Sequence, residues 1–343
     1  MVIVTLFHSR GSKGILSPYM YNADFLIKII KDIWDRDEVR ILFLDNFDSA
    51  GNEIIKSGKK VDVLFIMSSY VSGRVGFNML KMLADKAEKV VGVFNEYGSY
   101  RFLQLSRHEF LKKNKKWFVV LNFVLEGMQK KLGKIADKLI EKFWLVNLNV
   151  IKYKDWDGRF YTDNGKFLFK EDLVYYGSYR SDRNKYFKKY FCDERVVVST
   201  SKKNFDKFLK LGCKARFVDK FEWKGGYCED LLRFKSSLYI EDVFTHKHFN
   251  FLANRWYECM VHRVPMFFDI SCKGTIKKSG KSIDKFWLVD GLRDIFRKLE
   301  DKRFEEIKEK DLYLFKKEFF EERDKIIEDL YKIMKEIRDY KIR

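Results

Sequence analysis

The apolar residues of this chain follow two patterns that alternate along its first half. Four largely apolar segments, typical of strands buried on both faces of a parallel sheet, occur at residues 2–7, 39–44, 61–67 and 90–94. Residues 21–34 and 77–86 instead repeat their apolar positions at helical spacing. A further apolar strand is predicted at residues 143–150, and Trp117 and Phe118 are predicted to anchor a basic loop. Strands that alternate with helices predict an open, doubly wound α/β sheet.

The alternation restarts after a polar stretch, residues 152–170, which is rich in turn-forming Asp, Asn and Gly. Further strands are predicted at 173–176, 195–199, 215–218, 237–240 and 265–269, with helices between them that include 182–191, 227–235 and 250–262. We therefore predict an α/β protein with two Rossmann-like, doubly wound domains that face each other across a cleft. The boundaries fall at 1–160 and 161–320. The apolar stripe of the C-terminal helix, residues 321–343, predicts that this helix joins the first domain.

The net charge of the chain indicates what kind of partner it binds. The 343 residues include 69 Lys and Arg against 50 Asp and Glu, a net charge of +19. Such a surplus favours a polyanionic partner, with nucleic acid ahead of an anionic membrane, and a generically basic protein is the alternative. No apolar run is long enough to span a membrane. The five scattered cysteines and the lack of a secretory signal indicate a cytoplasmic protein with reduced thiols and no zinc site.

One candidate binding segment follows the predicted strand 173–176 and leads into a helix. Backbone N–H groups at such a junction attract anions, and Gly177 allows close approach to a ligand. The residues that could hold a diphosphate are Gly177, Ser178, Arg180 and Arg183. The alternative is an ordinary turn in which Ser181 caps the helix.

A second candidate lies on the predicted helix 250–262. Arg255 and Glu258 are three residues apart and share a face of that helix. An ion pair between them is one interpretation. In the other, the carboxylate accepts the two hydroxyls of a ribose, as acidic residues do in dinucleotide-binding folds.

A third candidate, Glu96, follows the strand 90–94, where a carboxylate would face the predicted cleft and could act as a general base. A surface glutamate is the alternative, and Asp24 is the rival base. Residues 101–116 carry a net charge of +5 and could contact DNA phosphates or simply face solvent. The candidate DNA-contacting residues are Arg74, Arg101, Arg107, Lys112, Lys113, Lys115 and Lys116. His246 and His248 lack a third ligand nearby and do not indicate a metal site.

Four blocks, in this order, resemble the phage DNA β-glucosyltransferases, which glucosylate hydroxymethylated pyrimidines. They are residues 64–70 with the glycines that follow, 90–96, 176–181 and 254–268. The resemblance implies a fold of the glycosyltransferase B (GT-B) type, with UDP-glucose in the C-terminal domain and DNA at the N-terminal domain.

The same resemblance implies residue roles. Gly177, Ser178 and Arg180 would hold the diphosphate, Arg255 would assist, and Glu258 would bind the uridine ribose. Glu96 falls where the family has its catalytic aspartate, so the side chain is one methylene longer here. The family's second arginine is replaced by Asn184, and Arg183 could cover the same helix face.

We therefore expect an inverting glycosyltransferase that moves a sugar from a UDP-sugar, expected to be UDP-glucose, to the hydroxymethyl group of a modified pyrimidine in duplex DNA. The alternatives are a GT-B enzyme acting on a glycan or small molecule, and a DNA-binding protein without catalysis. We expect a monomer in the cytoplasm, of the host cell if the protein is viral, with no membrane partner. A divalent metal is compatible with this donor, but no motif indicates one.

Overall fold

The computed structural model describes residues 1–6, 18–68, 77–94, 117–121, 140–162, 171–224, 226–242, 245–246 and 251–340. The chain divides into two compact units. The first comprises Met1–Lys152 and Arg323–Arg343, and the second comprises Tyr153–Glu322.

The first unit is built on a parallel sheet of six strands in the order β2-β1-β3-β4-β5-β6. The strands are β1 Val2–Leu6, β2 Val39–Phe43, β3 Val61–Ser68, β4 Ala87–Phe94, β5 Trp117–Leu121 and β6 Ile140–Leu145. The helices described in this part are α1 Pro18–Ile33, α2 Phe47–Lys56 and α3 Phe77–Lys86. Every residue of β1 is buried, as the continuous apolar run predicts.

The second unit contains another parallel six-stranded sheet, in the order β12-β11-β10-β7-β8-β9. Its strands are β7 Glu171–Tyr176, β8 Val196–Ser199, β9 Arg216–Val218, β10 Phe234–Tyr239, β11 Met266–Asp269 and β12 Leu288–Val289. Its described helices are α4 Asn184–Tyr190, α5 Lys202–Leu209, α6 Asn254–Val261, α7 Lys273–Ser279 and α8 Leu292–Leu299. The predicted α/β class with two Rossmann-like sheets is confirmed.

The last helix, α9 Phe304–Asp339, has 36 residues and passes from the second unit into the first. In the first unit its apolar stripe is buried, with Leu330 and Met334 fully enclosed. The Tyr331 hydroxyl donates to the carboxylate of Asp32 in α1 at 2.7 Å. None of the helices in the described ranges is both long enough and apolar enough to cross a membrane.

Three predicted elements differ from the structure. The predicted helix 227–235 is wrong: a 3-10 turn, Asp230–Arg233, is followed by β10. Ser236 and Ser237 are tolerated in this buried strand because their hydroxyls donate to carbonyl oxygens of β7, Asp172 O at 2.9 Å and Val174 O at 3.2 Å. The predicted loop residues at 117–118 begin β5, and the strand predicted over 143–150 ends at residue 145 and is followed by a 3-10 helix, Leu148–Tyr153.

Candidate functional site

The order of the second sheet marks one place for a ligand. β7 and β10 are neighbours, but the chain continues from β7 toward β8 and β9 and from β10 toward β11 and β12. Ligands of doubly wound sheets bind outside the carboxyl ends of the strands at such a reversal. The residues that follow these two strand ends are Gly177 after β7, and Glu241 and Asp242 after β10.

Gly177 brings backbone and arginine together at this edge. Its φ angle is +155°, and its N–H donates to the carbonyl oxygen of Ser199 at 3.1 Å. A Cβ atom here would lie 3.2 Å from the Tyr175 hydroxyl and 3.5 Å from Nη2 of Arg255. The absence of a side chain therefore relieves a tight contact with the Tyr175 hydroxyl, while Arg255 Nη2 lies at ordinary contact distance from this backbone.

Arg255 comes from the first turn of α6. Its guanidinium carbon lies over the rings of Tyr175, Tyr176 and Tyr239, at 5.1, 5.7 and 5.8 Å from their centroids. The ring faces attract the cation, and the Nη1 atom is buried without a hydrogen-bond partner. The interpretation in which Arg255 forms an ion pair with Glu258 is wrong. A buried donor without an acceptor marks a place where an anion would be stabilised.

Glu258 lies one turn further along α6 and is 9% exposed. Its Oε2 atom accepts a hydrogen bond from the Tyr176 hydroxyl at 3.0 Å. Tyr176 is the last residue of β7, so the strand that leads into Gly177 also contacts this carboxylate.

The two arginines after β7 have different surroundings. Arg183 is buried and donates from Nη2 to Glu241 Oε2 at 2.5 Å and to Asp242 Oδ2 at 3.1 Å. Burial alone would lower the pKa of Arg183, but the two carboxylates outweigh it and raise that pKa above its ordinary value. Arg180 is exposed, and its Nη1 atom lies 3.5 Å from Asp242 Oδ2.

Glu241 and Asp242 were missed by sequence reasoning, although two acidic residues directly after the predicted strand 237–240 were a usable signal. Asp242 also accepts from the N–H of Thr245 at 2.7 Å, and together with Arg183 this bond lowers the pKa of Asp242 against the opposing effect of burial. The alternative in which Ser181 caps a helix is wrong. Ser181 is the first residue of a 3-10 turn that has Arg180 at its N-cap and no side-chain capping bond.

The other predicted site residues are not all described. Ser178 is exposed beside Gly177. Glu96 and the seven candidate DNA-contacting residues lie outside the described residues, as does His248. His246 is half-buried between hydroxyl groups, with Nδ1 3.1 Å from Thr275 Oγ1 and Nε2 3.3 Å from Ser271 Oγ. In the described part of the chain, no three His, Cys, Asp or Glu side chains are grouped to hold a metal ion.

Solved structures with a similar fold include DNA-modifying glucosyltransferases. A crystal structure of T4 phage BGT with its UDP-glucose substrate matches with a TM-score of 0.65 at 16% identity, over 99% of this chain and 100% of that one. The same phage enzyme with UDP and Mn²⁺ matches with a TM-score of 0.62 at 16% identity, over the same shares of both chains. The chain has the fold of T4 phage β-glucosyltransferase.

A third structure, an α-glucosyltransferase with UDP and a 13-mer DNA containing an HMU base, matches with a TM-score of 0.54 at 10% identity. That match covers 95% of this chain and 99% of the other. No protein-family model matches the sequence, and no curated protein matches it. The resemblance inferred from four short blocks is thus confirmed by structures that share the whole fold.

Proposed function

We propose that the protein is a glycosyltransferase that uses a UDP-sugar, expected to be UDP-glucose, and modifies DNA. The observation that carries this proposal is the buried, unpartnered Nη1 atom of Arg255 beside Gly177, at the reversal point of the second sheet. A diphosphate would supply the missing acceptor. Fold neighbours that are glucosyltransferases with UDP-glucose or UDP bound support this choice of anion.

Each residue of the site has a chemical task in this proposal. Arg180, Arg255 and Ser178 bind the diphosphate, and Glu258 accepts the ribose hydroxyls. Gly177, whose N–H already donates to Ser199, allows the diphosphate to approach the backbone closely. The charge of Arg183 is already balanced by Glu241 and Asp242. We therefore assign Arg183 a supporting role, in which it holds Asp242 close to Arg180.

The proposed acceptor is the hydroxymethyl group of a modified pyrimidine in duplex DNA. Such a group is a weak nucleophile at neutral pH and needs a positioned base, for which the sequence offers Glu96. Attack opposite the departing UDP would invert the anomeric carbon without a covalent enzyme intermediate. Negative charge that develops on UDP would be stabilised by the arginines. The modified base would have to leave the stack, at a cost that phosphate contacts offset.

Two further features support DNA as the acceptor. The net charge is +19, and residues 101–116 carry a local charge of +5. One fold neighbour was solved with a 13-mer DNA containing an HMU base.

One fold neighbour also holds Mn²⁺ with its UDP. The acidic pair after β10 does not fit a metal site, because both Glu241 and Asp242 are engaged by Arg183. The described residues also lack a group of three candidate ligands.

The donor site is tested by calorimetric titration of UDP into the wild type and the Arg255→Met variant. Met keeps an aliphatic stem over the tyrosine rings and removes the donors. Loss of a hydrogen bond to a charged group costs about 1.5–3 kcal/mol, so we expect UDP affinity to fall by about 10- to 100-fold. Arg195→Met is the matched control, because Arg195 also lies over a ring, that of Phe296 at 3.6 Å. Equal UDP affinity of Arg255→Met and wild type would contradict the donor site.

The reaction is tested by incubating the protein with UDP-glucose and hydroxymethylated duplex DNA and by measuring glucosylated nucleosides by mass spectrometry. Glu96→Gln should lower turnover by about 10²- to 10⁴-fold while the dissociation constants for UDP-glucose and DNA change less than about twofold. Glu53→Gln is the control, an exposed carboxylate in α2. Transfer to a glycan but not to DNA, or DNA binding without any transfer, would favour the alternative functions.

A further inference from the structure

The hydroxyl of Tyr176 lies near two oxygen acceptors on α6 and the thiol of Cys259, which could donate or accept. It lies 3.0 Å from Glu258 Oε2, 3.2 Å from the carbonyl oxygen of Arg255 and 3.4 Å from Sγ of Cys259. A phenol has one proton to donate. The carboxylate is the nearest of these three groups and the charged acceptor among them, so it receives the strongest share of this bond.

The phenol is well suited to remain a donor. Its ring packs against Phe221 and Trp223, with centroids 5.8 and 6.0 Å away, so the hydroxyl is held in position. Burial, with the nearby Cys259 and Glu258, raises the pKa of Tyr176 well above its ordinary value. The hydroxyl therefore stays protonated across the pH range in which the protein would act.

We propose that Tyr176 is a positioning residue that orients the Glu258 carboxylate for the ribose hydroxyls of the donor nucleotide. This inference rests on the proposed function, in which Glu258 binds that ribose. A glutamate side chain has three rotatable bonds, and holding it in place beforehand removes an entropic cost from ligand binding. A carboxylate accepts about four hydrogen bonds, so one bond from the phenol orients the group without exhausting it.

The position of Tyr176 in the chain links the proposed ribose site to the proposed diphosphate site. It immediately precedes Gly177, so one strand end sets both the backbone that approaches the diphosphate and the carboxylate that meets the ribose. The contact between β7 and α6 thereby fixes the distance between the Gly177 backbone and the Glu258 carboxylate. A ligand that has a diphosphate but no ribose should not depend on Tyr176.

The test compares Tyr176→Phe with wild type in titrations of UDP and of inorganic pyrophosphate. We expect the dissociation constant for UDP to rise by about 3- to 10-fold, the effect of one lost hydrogen bond, and that for pyrophosphate to stay unchanged. The matched control is Tyr190→Phe, which removes a buried hydroxyl that donates to Asp269 at 2.6 Å in the same unit. That variant should lose thermal stability and keep its affinity for UDP.

A double-mutant cycle separates positioning from general support of the fold. In a Glu258→Ala background, Tyr176→Phe should cause no further loss of UDP affinity, because its effect passes through the missing carboxylate. Additive losses, an equal loss for pyrophosphate, or a Tyr176→Phe variant that binds UDP like wild type would each overturn the inference. A wild-type protein that does not bind UDP would overturn the proposed function as well, so the two failures are distinguishable.

Discussion

The ammonium group of Lys89 lies 2.9 Å from the carbonyl oxygen of Ile337, although 248 residues separate them in sequence. It also lies 2.8 Å from the carbonyl oxygen of Arg338. Both carbonyls belong to the last turn of α9, where the helix offers them no N–H partner. A cation from β4 therefore caps the C-terminal helix and ties it to the first sheet.

Replacement of Lys89 by Met should destabilise the first unit by about 1–2 kcal/mol, because buried carbonyls lose their donor while the side-chain volume is kept. Burial lowers the pKa of Lys89, and part of the lost bonding is offset by relief of this desolvation. Urea unfolding followed by circular dichroism measures the change. Lys86→Met is the control, since Lys86 donates to Ile55 O at 3.0 Å on an exposed surface, and it should cost less than half as much. Equal losses of unfolding free energy for the two variants would show that the Lys89 cap stabilises the protein no more than an exposed hydrogen bond does.

Replacement of Gly177 by Ala should weaken UDP binding by about 10-fold or more. The new Cβ would approach the Tyr175 hydroxyl and Arg255 Nη2, and the φ angle of +155° is one that L side chains rarely adopt. The Tyr175 hydroxyl, 3.2 Å from the new Cβ, would have to give way, and the backbone beside Arg255 would be strained. Isothermal titration of UDP measures this effect.

Gly212→Ala separates contact from backbone strain. Gly212 has a φ angle of +75° and no heavy atom within 4 Å of a Cβ position, so this variant should lose about 1 kcal/mol of stability and keep its affinity for UDP. Loss of UDP affinity in both variants would trace the effect to the fold and not to the site.

Most strands of both sheets could be predicted because parallel strands buried on both faces leave largely apolar segments in the sequence. The strands β5 and β12 were not predicted. Helix α2 was not predicted, although its apolar residues recur at helical spacing. Phe47 is buried in the core of the first sheet, and Ala50, Ile54 and Ile55 pack against that core. Gly51 is needed for contact, since a Cβ there would lie 2.5 Å from Sδ of Met79 in α3. The short length of this apolar stripe and the glycine within it weaken the helical signal, although the glycine allows close helix packing.

Sequence reasoning could single out candidate residues within one segment, but not contacts that depend on the order of the strands. Gly177, Arg255 and Glu258 were identified from short blocks. The bonds of Arg183 to Glu241 and of Tyr176 to Glu258 span 58 and 82 residues. They exist because β7 lies beside β10 and α6 packs near their ends, and no spacing within one segment encodes that neighbourhood.

Binding to DNA should depend on the lysine-rich run at residues 112–116. Replacement of all four of its lysines by Ala should reduce the slope of log K against log salt by about 2–4, because each phosphate contact contributes about 0.9. Affinity for UDP should not change. Fluorescence anisotropy of labelled duplex DNA at several salt concentrations measures the slope.

The matched control for this prediction removes the same number of lysines from exposed positions of the second unit: Lys285, Lys302, Lys310 and Lys317. It should leave the slope within about one unit of wild type if phosphate contacts are confined to the first run. Similar slopes for the two variants would mean that the run at 112–116 faces solvent.

Replacement of Asp311 by Asn should stabilise the second unit at alkaline pH. Asp311 is 7% exposed, and its Oδ2 atom accepts from Nε1 of Trp287 at 2.5 Å and from the N–H of Asp284 at 3.3 Å. Burial is the main cause that raises the pKa of Asp311 from 3.8 to about 6, and it outweighs the lowering effect of these two bonds.

The sign of this effect follows from linkage. The folded state binds this proton more tightly than the unfolded chain, so the contribution of Asp311 to stability is present below about pH 4 and is lost as the pH rises through about 6. Asn resembles the protonated acid and keeps an oxygen for Trp287. The variant should therefore gain about 1–3 kcal/mol at pH 8 and almost nothing at pH 4. Thermal unfolding of both proteins at a series of pH values measures the difference.

Asp301→Asn is a control with the opposite pKa shift. Hydrogen bonds from Arg303 lower the pKa of Asp301 to about 2, so loss of this carboxylate should not raise stability at any pH. A difference between Asp311→Asn and wild type that is the same at pH 4 and pH 8 would show that packing, and not the buried charge, determines the effect.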